Sequence, residues 1–101
     1  AGAAFEPIYA TVKGAQHAFV KAYAKEAASQ HILVNAIAPG FIDTKMNEHL
    51  MDEEKQAIVE EIPLHRAGKP EEVANLVAFY VSGQADYVTG QIIRLNGGWY
   101  I

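Results

Sequence analysis

Two side chains near the start of the 101-residue sequence, Tyr9 and Lys13, could do chemistry together. They stand four positions apart in a stretch rich in alanine, lysine and glutamate. On a helix they would lie one turn apart on the same face. A phenol has a pKa of about 10, and a neighbouring ammonium favours its ionised form, which brings proton transfer closer to neutral pH. The same pair on many helices is plain solvent-facing surface, so the spacing alone leaves both interpretations open.

The elements that must position this pair follow from the apolar pattern. Residues from Pro7 to about Ser29 predict a long helix, which Pro7 opens and in which Gly14 indicates a closely packed partner helix. The apolar run His31–Ala38, stopped by Pro39-Gly40, is typical of a strand buried on both faces of a parallel sheet. A helix that leads directly into such a strand indicates an α/β fold.

The second half of the chain predicts further elements of the same kind. Residues 45–61 are polar and acidic with interspersed apolar side chains, which favours a surface helix or helix pair. Pro70, followed by two glutamates, opens another helix, and Gln91–Leu95 forms a second strand that ends at Asn96-Gly97-Gly98. Two buried parallel strands need more neighbours than this chain offers, so we expect cover from residues upstream of Ala1 or from another copy.

Composition excludes several classes of function. The net charge of −4 offers no broad basic surface for DNA or RNA, and the absence of cysteine excludes disulfides, thiolate catalysis and Cys-ligated metals. No apolar run approaches the ~18 residues of a membrane span, so we expect a soluble protein without a membrane partner. We expect it in the cytoplasm, although the residues alone leave the compartment open. The four histidines lack paired metal-ligand spacing, and Asp52–Glu54 is typical of a solvated helix start, so no metal site is predicted.

Four motifs follow one another along the chain: Tyr9–Lys13, Asn35–Gly40, Arg66–Ala74, and Tyr87–Gln91 leading to Asn96-Gly97-Gly98. In order and spacing they resemble the short-chain dehydrogenase/reductase family, whose active-site helix carries Tyr-x-x-x-Lys and whose next strand ends in Asn-x-x-x-Pro-Gly. The resemblance covers nearly the whole chain. The segment around the proline–glycine pair and the Asn-Gly-Gly ending are most similar to the bacterial 3-oxoacyl-[acyl-carrier-protein] reductase branch.

The resemblance implies a fold and an activity. Residues 1–101 would be the C-terminal fragment of a single domain, an α/β Rossmann-like doubly wound parallel sheet whose N-terminal cofactor half is absent. The complete protein would reduce a carbonyl, that of a 3-oxoacyl thioester in fatty acid biosynthesis, with hydride from NADPH or NADH. Tyr9 would donate the proton to the carbonyl oxygen, while Lys13 would hold the nicotinamide ribose hydroxyls and lower the Tyr9 pKa. Both Tyr9 and Lys13 would also contact the cofactor.

The family pattern also assigns cofactor contacts to the segment after the strand. Pro39, Gly40 and the backbone of Ile42 would line the nicotinamide pocket, with the Ile42 amide suited to the carboxamide. The Thr44 hydroxyl would reach the carboxamide or the pyrophosphate, although a threonine there also suits a helix cap. Residues 45–62 correspond to the mobile substrate lid of the family.

The sequence departs from the family pattern ahead of Tyr9. The glycine-rich phosphate loop, the active-site asparagine and the catalytic serine all come earlier in the pattern and are not in this sequence. We therefore expect the isolated chain to be inactive. Two alternatives to the 3-oxoacyl reductase function stay open: a non-catalytic oligomerisation fragment, or a dehydrogenase of another alcohol or ketone. The implied partners are a small-molecule or acyl-carrier-protein-bound substrate and further copies in a homotetramer. Lys45, Arg66 and Lys69 are the candidate contacts for an acidic carrier protein.

Overall fold

A computed structural model describes residues 2–100, apart from the side chains of residues 2–7, Tyr9 and Met46. The helices and strands, in chain order, are α1 (Gly2–Ala27), β1 (Ala36–Pro39), α2 (Asp52–Glu61), α3 (Pro70–Val81) and β2 (Ile92–Leu95). This order of helices and strands confirms the predicted α/β class. Within the described residues, no helix is both long enough and apolar enough to cross a membrane.

The strands β1 and β2 pair in parallel. Ala36 N–H donates to Gln91 O at 2.9 Å and Gly40 N–H to Leu95 O at 2.8 Å, so the partners advance in the same direction. The predicted strand His31–Ala38 was too long, and the strands are half-buried rather than buried on both faces. Within the described part of the chain, each strand is paired along one edge only.

One compact unit comprises Ala1–Ala36 and Asp86–Ile92, with the buried residues Ala24 and Ala27 on α1. The helix begins at Gly2, so the prediction that Pro7 opens it was wrong. Alanines ahead of the proline are strong helix formers and extend the helix in that direction. A Cβ built on Gly14 meets nothing within 4 Å, so the expected packing partner is not found among the described residues.

The other compact unit comprises Ile37–Ala85 and Ile93–Ile101, and Ile62 and Ala85 are buried in it. Gly97, at φ 64°, lies against Ile62, because a Cβ there would come within 2.9 Å of Ile62 Cγ2. The helix α3 begins at Pro70, as predicted, with the Glu72 carboxylate accepting the Lys69 N–H at 2.9 Å. Residues 45–61 form a 3₁₀ turn, Lys45–Asn47, followed by α2.

Candidate functional site

The predicted catalytic pair belongs to α1. Tyr9 is within the helix, but its side chain lies outside the described residues, so its role stays a prediction. At about 100° per residue, one face of α1 collects the half-buried and buried side chains. These are Lys13, His17, Val20, Ala24 and Ala27. Lys13 is half-buried on that face, so part of its side chain is covered rather than fully solvated.

The end of β1 brings two backbone segments into close contact. Gly40 N–H donates to Leu95 O at 2.8 Å. A Cβ built on Gly40 would lie 2.8 Å from Asn96 Cβ and 2.9 Å from Asn96 Cα, closer than real side chains approach. The glycine after Pro39 is therefore required by the approach of the chain around Asn96, in addition to any ligand that the bend receives.

Ile42 lies on a single parallel bridge to Gly68. Gly68 N–H donates to Phe41 O at 2.8 Å, and Asp43 N–H donates to Gly68 O at 2.9 Å. Both bonds use the residues that flank Ile42, so the N–H and C=O of Ile42 itself point away from Gly68. The C=O accepts a hydrogen bond from Asn47 Nδ2 at 2.6 Å, whereas no described residue accepts one from the Ile42 N–H.

The four predicted cofactor residues of this unit share one open cavity of about 470 Å³. Its lining consists of Pro39, Gly40, Ile42, Thr44, Asn47, Pro70 and Val73. The volume falls within the ~300–1,000 Å³ of small-molecule pockets. Thr44 occupies the cap position of the following 3₁₀ turn, but its side chain makes no capping hydrogen bond. The capping explanation for this threonine therefore does not account for its hydroxyl.

Sequence reasoning missed Asn47 as a part of this cavity. The family resemblance assigns this residue to the lid segment, a role that the polar, methionine-bearing composition allows. In the structure its side chain turns back by five positions to the Ile42 carbonyl. The one signal that could have found it is an amide side chain three positions after Thr44, where a turn can direct it onto the preceding backbone.

A charged pair joins the loop before α3 to the first turn of that helix. Arg66 Nη1 and Nη2 donate to Glu72 Oε1 and Oε2 at 2.7 and 2.8 Å. The hydrogen bonds from Arg66, then that from the Lys69 N–H, lower the pKa of Glu72 to about 2, and the carboxylate raises the pKa of Arg66. Arg66 is thus compensated and a poorer contact for an acidic partner than the exposed Lys45 and Lys69.

The same charged pair lines a second cavity in this unit, of about 450 Å³, together with Arg94 and the Asn96-Gly97-Gly98 turn. None of the predicted cofactor residues contributes to it. In the part of the chain that the structure describes, no group of three or more histidine, aspartate or glutamate side chains could hold a metal ion.

Comparison with known proteins gives consistent relatives. A family described as Enoyl-(Acyl carrier protein) reductase matches residues 1–100. An uncharacterized oxidoreductase of Bacillus subtilis, YmfI, is 50% identical over 99 residues, which are 98% of this chain and 41% of that protein. The 3-oxoacyl-[acyl-carrier-protein] reductase FabG of Aquifex aeolicus is 51% identical over 92 residues, 91% of this chain and 37% of that protein.

A solved structure agrees with these sequences. The crystal structure of a 3-oxoacyl-[acyl-carrier protein] reductase from Brucella melitensis superposes with a TM-score of 0.86 at 38% identity, covering 92% of this chain and 35% of that one. The chain thus spans well under half the length of the relatives it matches, 41% and 37% of the two bacterial proteins above.

Proposed function

This chain belongs to the short-chain dehydrogenase/reductase family, and from that premise we propose that it is the C-terminal portion of an NAD(P)-dependent carbonyl reductase. The observation that carries the proposal is the cavity lined by Pro39, Gly40, Ile42 and Thr44, together with an Ile42 N–H that has no acceptor among the described residues. Its substrate would be a 3-oxoacyl thioester, the class named for the Aquifex aeolicus relative.

The residues of this cavity fit the nicotinamide end of NADPH or NADH. The apolar atoms of Pro39 and Ile42 suit a flat ring, the Ile42 N–H suits a carboxamide oxygen, and the Thr44 hydroxyl adds a second polar contact. When bound, the nicotinamide supplies the hydride for the reduction. The remaining cofactor contacts would come from the glycine-rich loop and neighbouring residues that this sequence does not contain.

Two residues of α1 would carry the proton chemistry. Tyr9 gives its phenolic proton to the carbonyl oxygen, which becomes the hydroxyl of the product, and is left as a phenolate. The Lys13 ammonium, one turn further along the helix, stabilises that phenolate and holds ribose hydroxyls. The half-buried position of Lys13 supports this role, because a partly desolvated ammonium acts more strongly on a neighbouring negative charge than a fully solvated one.

The test replaces Tyr9 by phenylalanine in a complete reductase. This chain is joined to the N-terminal portion of the Aquifex aeolicus relative, which supplies the part of the domain that the sequence lacks. We expect Tyr9→Phe to lower kcat for a 3-oxoacyl thioester by about 10²–10⁴-fold, since the proton donor is lost. The dissociation constant for the cofactor should change by less than about twofold, because the phenyl ring keeps the shape of the side chain.

Tyr23→Phe is the matched control, because Tyr23 lies on the same helix and is 46% exposed. It should leave kcat unchanged. A Tyr9→Phe protein that keeps most of its turnover would contradict the assignment of the proton donor. Comparable activity on simple ketones or secondary alcohols, with none on thioesters, would support the alternative substrate class.

A second candidate function, a non-catalytic assembly fragment, is favoured by the other face of α1. Its large apolar side chains are strongly exposed within this chain, with values of 50% for Val12 and 65% for Phe19. Sedimentation of the isolated chain, together with titration by NADPH, separates the candidates. A dimer or larger assembly that binds no NADPH supports the assembly function, whereas stoichiometric NADPH binding would show that the chain alone forms a cofactor site.

A further inference from the structure

Asn47 belongs to the predicted lid segment, yet its hydrogen bonds run back to the cavity wall. Its side-chain Nδ2 donates to Ile42 O at 2.6 Å, and its backbone N–H donates to Thr44 O at 3.0 Å. The side chain is half-buried and lines the cavity itself. Both hydrogen bonds therefore connect Asn47 to residues that the proposed function assigns to the nicotinamide.

The backbone around Ile42 is held from two sides. On one side, Gly68 N–H donates a hydrogen bond to Phe41 O, and Gly68 O accepts one from Asp43 N–H. On the other side, the Ile42 N–H and C=O both point away from Gly68, and the Asn47 side-chain amide donates a hydrogen bond to the C=O. Since Gly68 acts through main-chain atoms, Asn47 is the side chain by which this arrangement can be changed.

The hydrogen bond also decides which polar group the wall offers to a ligand. Without the Asn47 hydrogen bond, Ile42 would present both a donor, its N–H, and an acceptor, its C=O. Because the Ile42 oxygen already accepts a hydrogen bond from Asn47, the N–H is the Ile42 group that has no partner among the described residues. A wall of this kind suits a ligand's carbonyl oxygen. Without the hydrogen bond from Asn47, the ligand's carbonyl oxygen would lie near an Ile42 oxygen that has no donor.

We propose that Asn47 is a positioning residue for the nicotinamide carboxamide, which it serves by holding the Ile42 carbonyl so that Ile42 offers its N–H to the ligand. The inference rests on the proposed function, since it takes the nicotinamide to be the occupant of this cavity. Asn47 needs no contact with the reacting atoms, and its effect falls on binding of the nicotinamide end of the cofactor.

The experiment uses the chimaeric reductase described above and two variants, Asn47→Asp and Asn47→Ala. Aspartate has the same shape as asparagine but cannot donate when ionised, and alanine removes the group. Dissociation constants are measured for NADPH or NADH, whichever binds, and for the matching nicotinamide-free compound, 2′-phospho-ADP-ribose or ADP-ribose. Glu48→Gln, on an exposed neighbour in the chain, is the control.

We expect Asn47→Asp to weaken binding of the complete dinucleotide about threefold to tenfold, the size of one hydrogen bond, and Asn47→Ala to weaken it in the same direction. Binding of the nicotinamide-free compound should stay within about twofold in both variants, as should both affinities of Glu48→Gln. Selective loss of nicotinamide-dependent affinity is the result that supports a positioning role.

Two results would overturn the inference. Equal weakening of both ligands would show that Asn47 merely supports the fold, and unchanged affinity for both would show that Ile42 does not depend on it. Failure of the proposed function has a different signature, because the unmodified chimaera would then bind the complete dinucleotide no better than the nicotinamide-free compound.

Discussion

Replacing Gly40 by alanine should destabilise the fold even without any cofactor. The new Cβ would lie 2.8 and 2.9 Å from Asn96 Cβ and Cα, atoms that cannot move aside by a change of rotamer. The chain around Asn96 must shift, which weakens the 2.8 Å hydrogen bond from Gly40 N–H to Leu95 O. Overpacking of this kind costs about 1–3 kcal/mol, and the smaller freedom of alanine in the unfolded chain offsets ~0.4–1 kcal/mol.

From the middle of these ranges, the net free energy of unfolding should fall by about 1.3 kcal/mol, which for a domain of ~150–250 residues lowers Tm by about 3–5 °C. The assay is thermal unfolding of the chimaeric reductase without cofactor. Gly14→Ala is the matched control, because a Cβ there meets nothing within 4 Å and lies inside α1. Since alanine is the better helix former, this control should gain about 0.5–1 kcal/mol.

The two substitutions thus have opposite expected signs although the chemical change is the same. The reasoning would be refuted by a Gly40→Ala protein that melts at or above the parent's Tm in the absence of ligand. If such a protein also bound the dinucleotide weakly, the glycine would be required by the ligand alone and not by Asn96.

Two further predictions concern hydrogen bonds elsewhere in the chain. Asn35 Nδ2 donates to Val88 O and its Oδ1 accepts from Gln91 N–H, both at 3.0 Å. Asn35→Ala should therefore lower the free energy of unfolding, measured by urea denaturation, by about 1–3 kcal/mol. Asn35→Asp should lower it less, because its acceptor oxygen remains. Glu72 has a folded pKa of about 2 against an ordinary value of 4.5, so its stabilisation is complete above pH 4.5 and is lost as the pH falls towards 2. The Tm difference between the parent and Glu72→Gln should accordingly shrink below pH 4.5, and a constant difference would contradict the role of the charge.

Local signals explain which helix ends could be predicted. Proline at the first position and glutamates in the first turn act within one turn of the helix, and α3 begins at Pro70 with Glu72 bonded to the Lys69 N–H. The start of α1 was misplaced at Pro7, because a proline marks a possible first residue without preventing an alanine-rich segment ahead of it from being helical.

Strand ends depend on distant residues and could not be predicted from the apolar run alone. The strand β1 begins at Ala36, where its N–H reaches Gln91 O. Two positions earlier, the Val34 N–H is bonded to the Thr89 side chain at 3.0 Å instead of to a strand backbone. Nothing within His31–Ala38 encodes where this partner segment changes from side-chain to main-chain hydrogen bonding.

The candidate site also combines features that local sequence signals indicate with features that depend on contacts between residues. Pro39, Gly40, Ile42 and Thr44 are assigned from a motif that records residue types at fixed spacing, and the structure gathers all four around one cavity, while their contact with a cofactor stays a prediction. A motif does not record which side chain donates a hydrogen bond to which backbone atom. The Ile42 carbonyl accepts its hydrogen bond from Asn47, so the ligand preference that we propose for the cavity depends on a residue outside the motif. An aspartate there would keep the shape and lose the donor, and with it the distinction between a ligand's carbonyl oxygen and its amide.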